Sequence, residues 1–213
     1  MTKILFGISL LLLVSCSQQS GIENTPSPDL LGYVNPFIGT SNFGATNPGA
    51  LAPRGMINVS PFNVSGAQNS FEKDSRWLST PYVYENTFLT GFSHVNLSGV
   101  GCPDLGVIIT MPTTGALVTD PRKYGSTYSN EAAKAGYYSS SLNKYDVKVE
   151  ATATTRTGVS NYFFPKGKSN ILINLGLGLT NEQGGSLKVV SSTEIEGIRH
   201  VGSFCYYKAE ESY

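Results

Sequence analysis

The sequence predicts an all-β fold, and three observations carry that prediction. Helical periodicity is absent after the first residues, short runs rich in Val, Ile, Thr, Tyr and Phe recur, and clusters of Gly, Pro, Asn and Ser separate them. Many short strands spaced by turn residues form the pattern of a sandwich. Candidate strands cover residues 55–60, 105–111, 159–164, 187–191 and 200–207, and residues 131–134 read as one short helical turn. Residues 146–155 alternate Val147, Val149, Ala151 and Ala153 with Lys148, Glu150, Thr152 and Thr154, so one face is apolar and the other wet. The continuous apolar run Ile171-Leu-Ile-Asn-Leu175 suits a central strand covered on both faces, deep in the core.

The first residues read as an address. Lys3 supplies a positive start, residues 4–14 are apolar, and Leu13-Val-Ser-Cys16 has the form of a bacterial lipobox. The apolar run is shorter than the ~20 residues needed to cross hydrocarbon. The expected product is a lipoprotein whose lipidated Cys16 anchors it to the bacterial cell envelope, on the outer membrane, since two or more acyl chains hold a protein stably. Residues 1–16 are then signal peptide, and 17–30, rich in Ser, Gln, Gly, Asn and Pro, a flexible tether. Residues 31–213 form one domain. Asn58-Val-Ser, Asn63-Val-Ser and Asn96-Leu-Ser match the N-glycosylation pattern, but a bacterial lipobox leaves them without that role.

Composition excludes several function classes. Lys+Arg 15 balances Asp+Glu 15, so no overall field draws in a nucleic-acid backbone. His 2, with no His-Glu-x-x-His, argues against zinc chemistry. The glycines of residues 39–55 lack the Gly-Lys-Ser/Thr ending of a phosphate cradle and read as turns. Of Cys 3, one is the lipid site, leaving Cys102 and Cys205 in a compartment that permits disulfides. Sequence leaves their pairing open and favours two separately buried small apolar side chains.

The most informative stretch is Gly91-Phe-Ser-His-Val-Asn-Leu-Ser-Gly-Val-Gly-Cys-Pro-Asp-Leu-Gly106, which sets a histidine, an asparagine and serines among glycines and reads as loop chemistry rather than a packed element. With Val34-Asn-Pro-Phe-Ile-Gly-Thr40, Pro48-Gly-Ala-Leu-Ala-Pro-Arg-Gly-Met56, Gly136-Tyr-Tyr138 and Asp146-Val-Lys-Val-Glu-Ala-Thr-Ala-Thr-Thr-Arg156, it resembles the N-terminal domain of family 92 glycoside hydrolases, the calcium-dependent exo-α-mannosidases. The resemblance runs to about residue 204 and implies the large two-sheet antiparallel sandwich, or supersandwich, of that family. It also implies a mannose-containing glycan as partner and a longer C-terminal α/α toroid that carries the general acid, the general base and most calcium ligands. The chain stops at Tyr213 after a strand-like segment with no terminating motif, so it reads as truncated before that toroid and incomplete at its C-terminus.

Site candidates follow from chemistry and resemblance together. Trp77, the single tryptophan, offers a flat indole on which a sugar's C–H face can stack, and the family uses this region for the sugar; the competing role is a core tryptophan. His94 can donate from one ring nitrogen and accept at the other, with Asn96 and Ser98 completing a rim, or it can tie down its own loop. Relatives read His-Thr-His where this chain has His94-Val-Asn96. The loop Gly39-Thr-Ser-Asn-Phe-Gly-Ala-Thr-Asn-Pro-Gly49 lacks the relatives' histidines; Asn42, Phe43 and Thr46 are candidate sugar contacts, and Arg54 reads as a structural loop residue.

No catalytic residue is nominated. A glycosidase needs two carboxyls about 5 Å or about 6.5–9.5 Å apart, and Glu72, Asp74, Glu85 and Asp104 read as solvated or loop-bracing. Calcium needs six to eight oxygens, and no Asp-rich loop supplies them, so calcium is expected in the full-length enzyme and not on this chain alone. The leading expectation is a lipid-anchored, carbohydrate-binding N-terminal domain of an inverting exo-α-mannosidase acting on N-glycans or mannan. The alternatives are a free-standing glycan-binding surface lipoprotein and an inactive gene remnant.

Overall fold

The computed structural model describes residues 28–41, 44–66, 68–69, 79–179, 184–201, 205 and 209–212. The leader, Cys16, nearly all of the tether, and Asn42, Phe43 and Trp77 lie outside the described residues. Among those described, helix is confined to a 3-10 turn at Leu30–Tyr33 and one turn of α-helix, α1, at Pro121–Tyr124. No helix there is long and apolar enough to cross a membrane.

The remaining regular structure is strand. In chain order the strands are β1 (Ala50–Leu51), β2 (Asn58–Phe62), β3 (Phe88–Leu89), β4 (Gly91–Ser93), β5 (Ile109–Thr114), β6 (Ser126–Lys134) and β7 (Tyr137–Leu142). They continue with β8 (Val147–Ala153), β9 (Gly158–Phe163), β10 (Ser169–Asn174), β11 (Gly185–Val189), β12 (Ile195–Val201) and β13 (Ala209–Ser212). One sheet runs β1-β2-β4-β5-β10, a second β3-β6-β7-β8-β9, and a smaller one β11-β12-β13. Neighbours pair antiparallel, as in β2 on β4, β5 on β10 and β7 on β8.

The two larger sheets face each other across the main core. Val59, Phe92 and Met111 come from the first, and Leu89, Tyr138, Leu142, Val147, Val149 and Ala151 from the second. Phe92 and Tyr138 meet across the interface with ring centroids 6.2 Å apart, within aromatic-pair range. A second cluster, Phe62, Val64, Val83, Ile109 and Leu179, adds to the packing around the first sheet, and β2 is buried along its length. Pro61 and Pro112 are accommodated in inner strands because the flanking strand has already ended beside each: β1 pairs only with Asn58 and Val59, and β4 meets β5 only at Thr110.

β8 shows the alternation read from sequence, with Val147, Val149 and Ala151 buried and Lys148 and Thr152 exposed. Four other readings need correction. Residues 131–134 are strand, not a helical turn: they continue β6, paired with β7. β10 is an edge strand rather than a central one, and Ile171 is 54% exposed. Its run of apolar residues marked it as a strand, but such a run holds no record of how many neighbours the strand has in its sheet. Residues 91–93, read as loop, form the fully buried β4. Gly91 permits this: at φ 149° a Cβ would lie 2.4 Å from Ile109 Cγ2. Finally, Cys102 and Cys205 are disulfide-bonded, not separate, with Cα atoms 5.8 Å apart across 103 residues of sequence. Local sequence carries no trace of so distant a pairing.

Two asparagines do the work of a missing strand ladder. The Asn63 Nδ2 donates to Val83 O (2.9 Å) and to the Tyr128 hydroxyl (2.9 Å), while its Oδ1 accepts from Val83 N (2.8 Å). Asn69 Nδ2 donates to Asn63 O, Ser65 O and Phe88 O, and its Oδ1 accepts from Phe88 N. Asn58, Asn63 and Asn96, the three glycosylation-pattern asparagines, are 2%, 0% and 7% exposed, so they are packing elements in the folded chain.

Candidate functional site

The two motif-bearing loops meet. Asn47 Nδ2 donates to Leu97 O (3.3 Å), and Gly99 N donates to Ala45 O (2.7 Å), which joins the 39–49 loop to the 91–106 loop. Asn47 Oδ1 accepts from Gly49 N and so fixes the turn into β1. Thr46 is half-buried; its hydroxyl donates to Ile38 O (3.0 Å) and its carbonyl accepts from the Thr80 hydroxyl. Thr46 is therefore part of the loop's own frame.

His94 follows β4 directly. Its Nδ1 lies 2.7 Å from Ile108 O, so in the neutral ring Nδ1 carries the proton and Nε2 is the acceptor. Burial holds its pKa below 6.5, partly opposed by that hydrogen bond. Gly158 leaves the space for the ring: a Cβ there would approach His94 Cδ2 to 3.2 Å and Val59 Cγ2 to 2.7 Å. Ile108, the residue gripped, has φ 56°, a left-handed conformation disfavoured for a β-branched side chain. His94 thus ties down a strained corner of its loop, with Nε2 as the acceptor nitrogen of its neutral ring. Asn96 is committed inward: Nδ2 donates to Asn58 O (2.7 Å) and Ser93 O (3.3 Å), and Oδ1 accepts from the Ser93 hydroxyl (2.9 Å). Ser98 and Arg54 are exposed, and Arg54 has φ 58° at a turn.

The pKa of His94 sets a sign for pH dependence. The unfolded ring binds a proton near 6.5 and the folded ring below it, so this group's stability is complete above 6.5 and is lost as pH falls. Thermal melts from pH 7.5 to 5.5 should show the wild type losing stability that His94→Gln does not lose. Parallel curves for the two would refute the assignment.

The carboxylates read from sequence divide. Glu85 is exposed, and Asp104 is fully buried with Oδ2 accepting from Cys205 N (2.5 Å); Glu72 and Asp74 lie outside the described residues. The carboxylate that sequence missed is Glu131. It lines an open cleft of about 400 Å³ together with Asn35, Phe37, Ile38, Ser41 and Tyr84. Its Oε2 accepts from the Tyr82 hydroxyl (2.9 Å) and its Oε1 from the Tyr138 hydroxyl (2.7 Å). Burial raises its pKa, opposed by the Tyr138 and Tyr82 hydrogen bonds, and burial and the nearby Tyr128 and Glu131 raise that of Tyr82. The only signal in sequence is Asn130, a residue type that tolerates the left-handed φ of 51° found there.

Among the described residues no group of three or more His, Cys, Asp or Glu could hold a metal ion. Calcium takes six to eight oxygen ligands, and the described residues assemble no such acidic group for it.

The sequence profile of the glycosyl hydrolase family 92 N-terminal domain matches residues 33–213. This chain belongs to that family. The family 92 chain is similar to a GH92 α-mannosidase of Bacteroides thetaiotaomicron, solved in complex with mannoimidazole: 33% identity, TM-score 0.71, covering 80% of this chain and 23% of that one. It is similar to the GH92 glycosyl hydrolase ccman5, with 27% identity and TM-score 0.69 over 85% of this chain and 25% of the other. It is also 28% identical over 149 residues to an uncharacterized secreted glycosidase of Arthroderma benhamiae, covering 64% of this chain and 18% of that protein. The family 92 chain thus spans about a quarter or less of the length of these relatives.

Proposed function

We propose that this family 92 domain is the sugar-facing β-sandwich of an inverting exo-α-mannosidase that acts on mannose-containing glycans, and that it forms one wall of the pocket. The reading is carried by the junction of the 39–49 and 91–106 loops, in a chain 33% identical to an α-mannosidase. In this reading Trp77 stacks on the sugar ring, His94 Nε2 accepts a sugar hydroxyl proton, and Asn42 and Phe43 reach the ring from the neighbouring loop. Thr46 and Asn96 act one step back, by holding the loop backbones in register. Fixing loops before the sugar arrives lowers the entropy cost of binding.

Inverting hydrolysis needs a carboxylic acid at the leaving oxygen and a carboxylate that activates water. In this proposal those groups, and the ligands of any calcium the enzyme uses, would come from the remaining length that the relatives possess. Anchoring through lipidated Cys16 would set the enzyme on the cell envelope. A mannosidase assay on this chain and on the protein encoded by the entire reading frame decides the matter. Release of mannose by the longer protein, reduced at least about tenfold by Trp77→Ala, is the expected result; no release from α-mannosides by the longer protein overturns the proposal.

A further inference from the structure

The geometry points to a second sugar-binding position, the Glu131 cleft, which takes a further pyranose unit of the same glycan; it rests on the glycan-facing reading above. The first observation is a β-bulge. β6 and β7 pair Ser129 with Ser141 but then Ala132 with Ser139, so β6 carries one extra residue at Asn130–Glu131. Without the bulge, strict alternation would put Glu131 on the face opposite Tyr128. With it, Glu131 joins the side on which Tyr128 and Ala133 pack against the core. A bulge that re-aims one side chain recurs next to binding sites.

The second observation is how that side chain is held. Tyr82 and Tyr138, 0% exposed, each donate a hydroxyl to one carboxylate oxygen. Each oxygen has a second acceptor position, and Glu131 itself lines the cleft. The arrangement suits two neighbouring sugar hydroxyls, each donating to one oxygen. Burying a carboxylate for packing alone is costly, and two tyrosine donors fix its position without neutralising its charge.

The third observation is another residue of the cleft lining. Tyr84 is 58% exposed, with its ring centroid 6.0 Å from that of Phe37, and offers an aromatic face to a ring's C–H side. Asn35 and Ser41 supply polar groups at the rim. An exposed aromatic face beside a fixed carboxylate and amide and hydroxyl groups matches a polyhydroxylated ring. The cleft borders the 39–49 loop of the proposed primary site: Ser41 lines it, and Ile38, also in the lining, accepts the Thr46 hydroxyl through its carbonyl. Tyr84 N donates to Thr40 O (3.0 Å) and fastens the aromatic wall to the same loop.

The test is titration of the full chain with α-1,2-linked mannobiose, followed by ligand-observed NMR. Glu131→Gln keeps the shape and removes the charge, Tyr84→Ala removes an exposed ring without opening the core, and Trp77→Ala serves as the comparison. The expected result is a loss of affinity of about tenfold in each of the two cleft variants, in line with the loss of a charged hydrogen bond or a stacking face. Wild-type affinity in both cleft variants overturns the inference, and if Trp77→Ala alone weakens binding, the pocket-wall reading stands without it. Absence of mannobiose binding by the wild-type chain also overturns the inference, while hydrolysis by the longer protein is judged separately.

Discussion

Asn63→Ala is expected to destabilise the domain by about 2–5 kcal/mol, because it orphans several buried polar groups at once. Asn63 is 0% exposed, and its amide serves Val83 N, Val83 O and the Tyr128 hydroxyl. Each buried donor or acceptor left without a partner costs about 1–3 kcal/mol, whereas the lost hydrogen bonds themselves are worth less. The effect spreads beyond one residue. Asn86 Nδ2 donates to Asn63 O, and Tyr128 OH donates to Asn86 O (2.7 Å), so the segment that carries Tyr82 and Tyr84 would loosen with it. Urea unfolding of the purified domain measures this, and a loss below about 1 kcal/mol would show that water or rearrangement replaces the amide.

Loss of the Cys102–Cys205 disulfide should be of similar size. The bridge closes a loop of 103 residues, and chain-entropy arguments give a cross-link of that span about 4–5 kcal/mol, reduced wherever the unfolded chain retains structure. It also joins the 91–106 loop to the C-terminal side of β12, where Asp104 Oδ2 accepts from Cys205 N. The paired Cys102→Ser, Cys205→Ser variant is expected to lose about 3–5 kcal/mol in denaturant unfolding, and the wild type to lose the same in excess dithiol reductant. Equal stability of oxidised and reduced protein would mean that the bridge contributes nothing in solution. Amide exchange in residues 94–106 should rise in the variant, because the loop loses its covalent anchor and keeps only hydrogen bonds, among them Gly99–Ala45, Asn47–Leu97 and Asn96–Asn58.

What could be read in sequence and what could not divides along the range of the interactions. The β8 strand was legible because its period of two is written into seven consecutive residues. β10 was legible as strand but not as edge, since the neighbour it lacks is a fact of sheet order. Residues 131–134 misled because a bulge breaks the period that identifies a strand. The loop motifs could be found as motifs, yet the hydrogen bonds that make Asn96 an inward brace and His94 a clamp on Ile108 run to partners distant in sequence or out of view. Glu131 was invisible as a site residue for the same reason: Tyr82 is 49 residues away, and the bulge that aims the side chain has no distinctive local sequence.

Sequence alone determined the all-β class, the alternating core strand and membership of family 92, because propensity, periodicity and motif order are local properties that survive in a linear string. Tertiary structure alone decided the disulfide, the edge position of β10, the joining of the two motif loops and the setting of Glu131 between two buried tyrosines. Each of these depends on which segments the antiparallel sheets bring side by side. Pairing across 50 to 103 residues is fixed by how the whole core packs rather than by any short run of side chains.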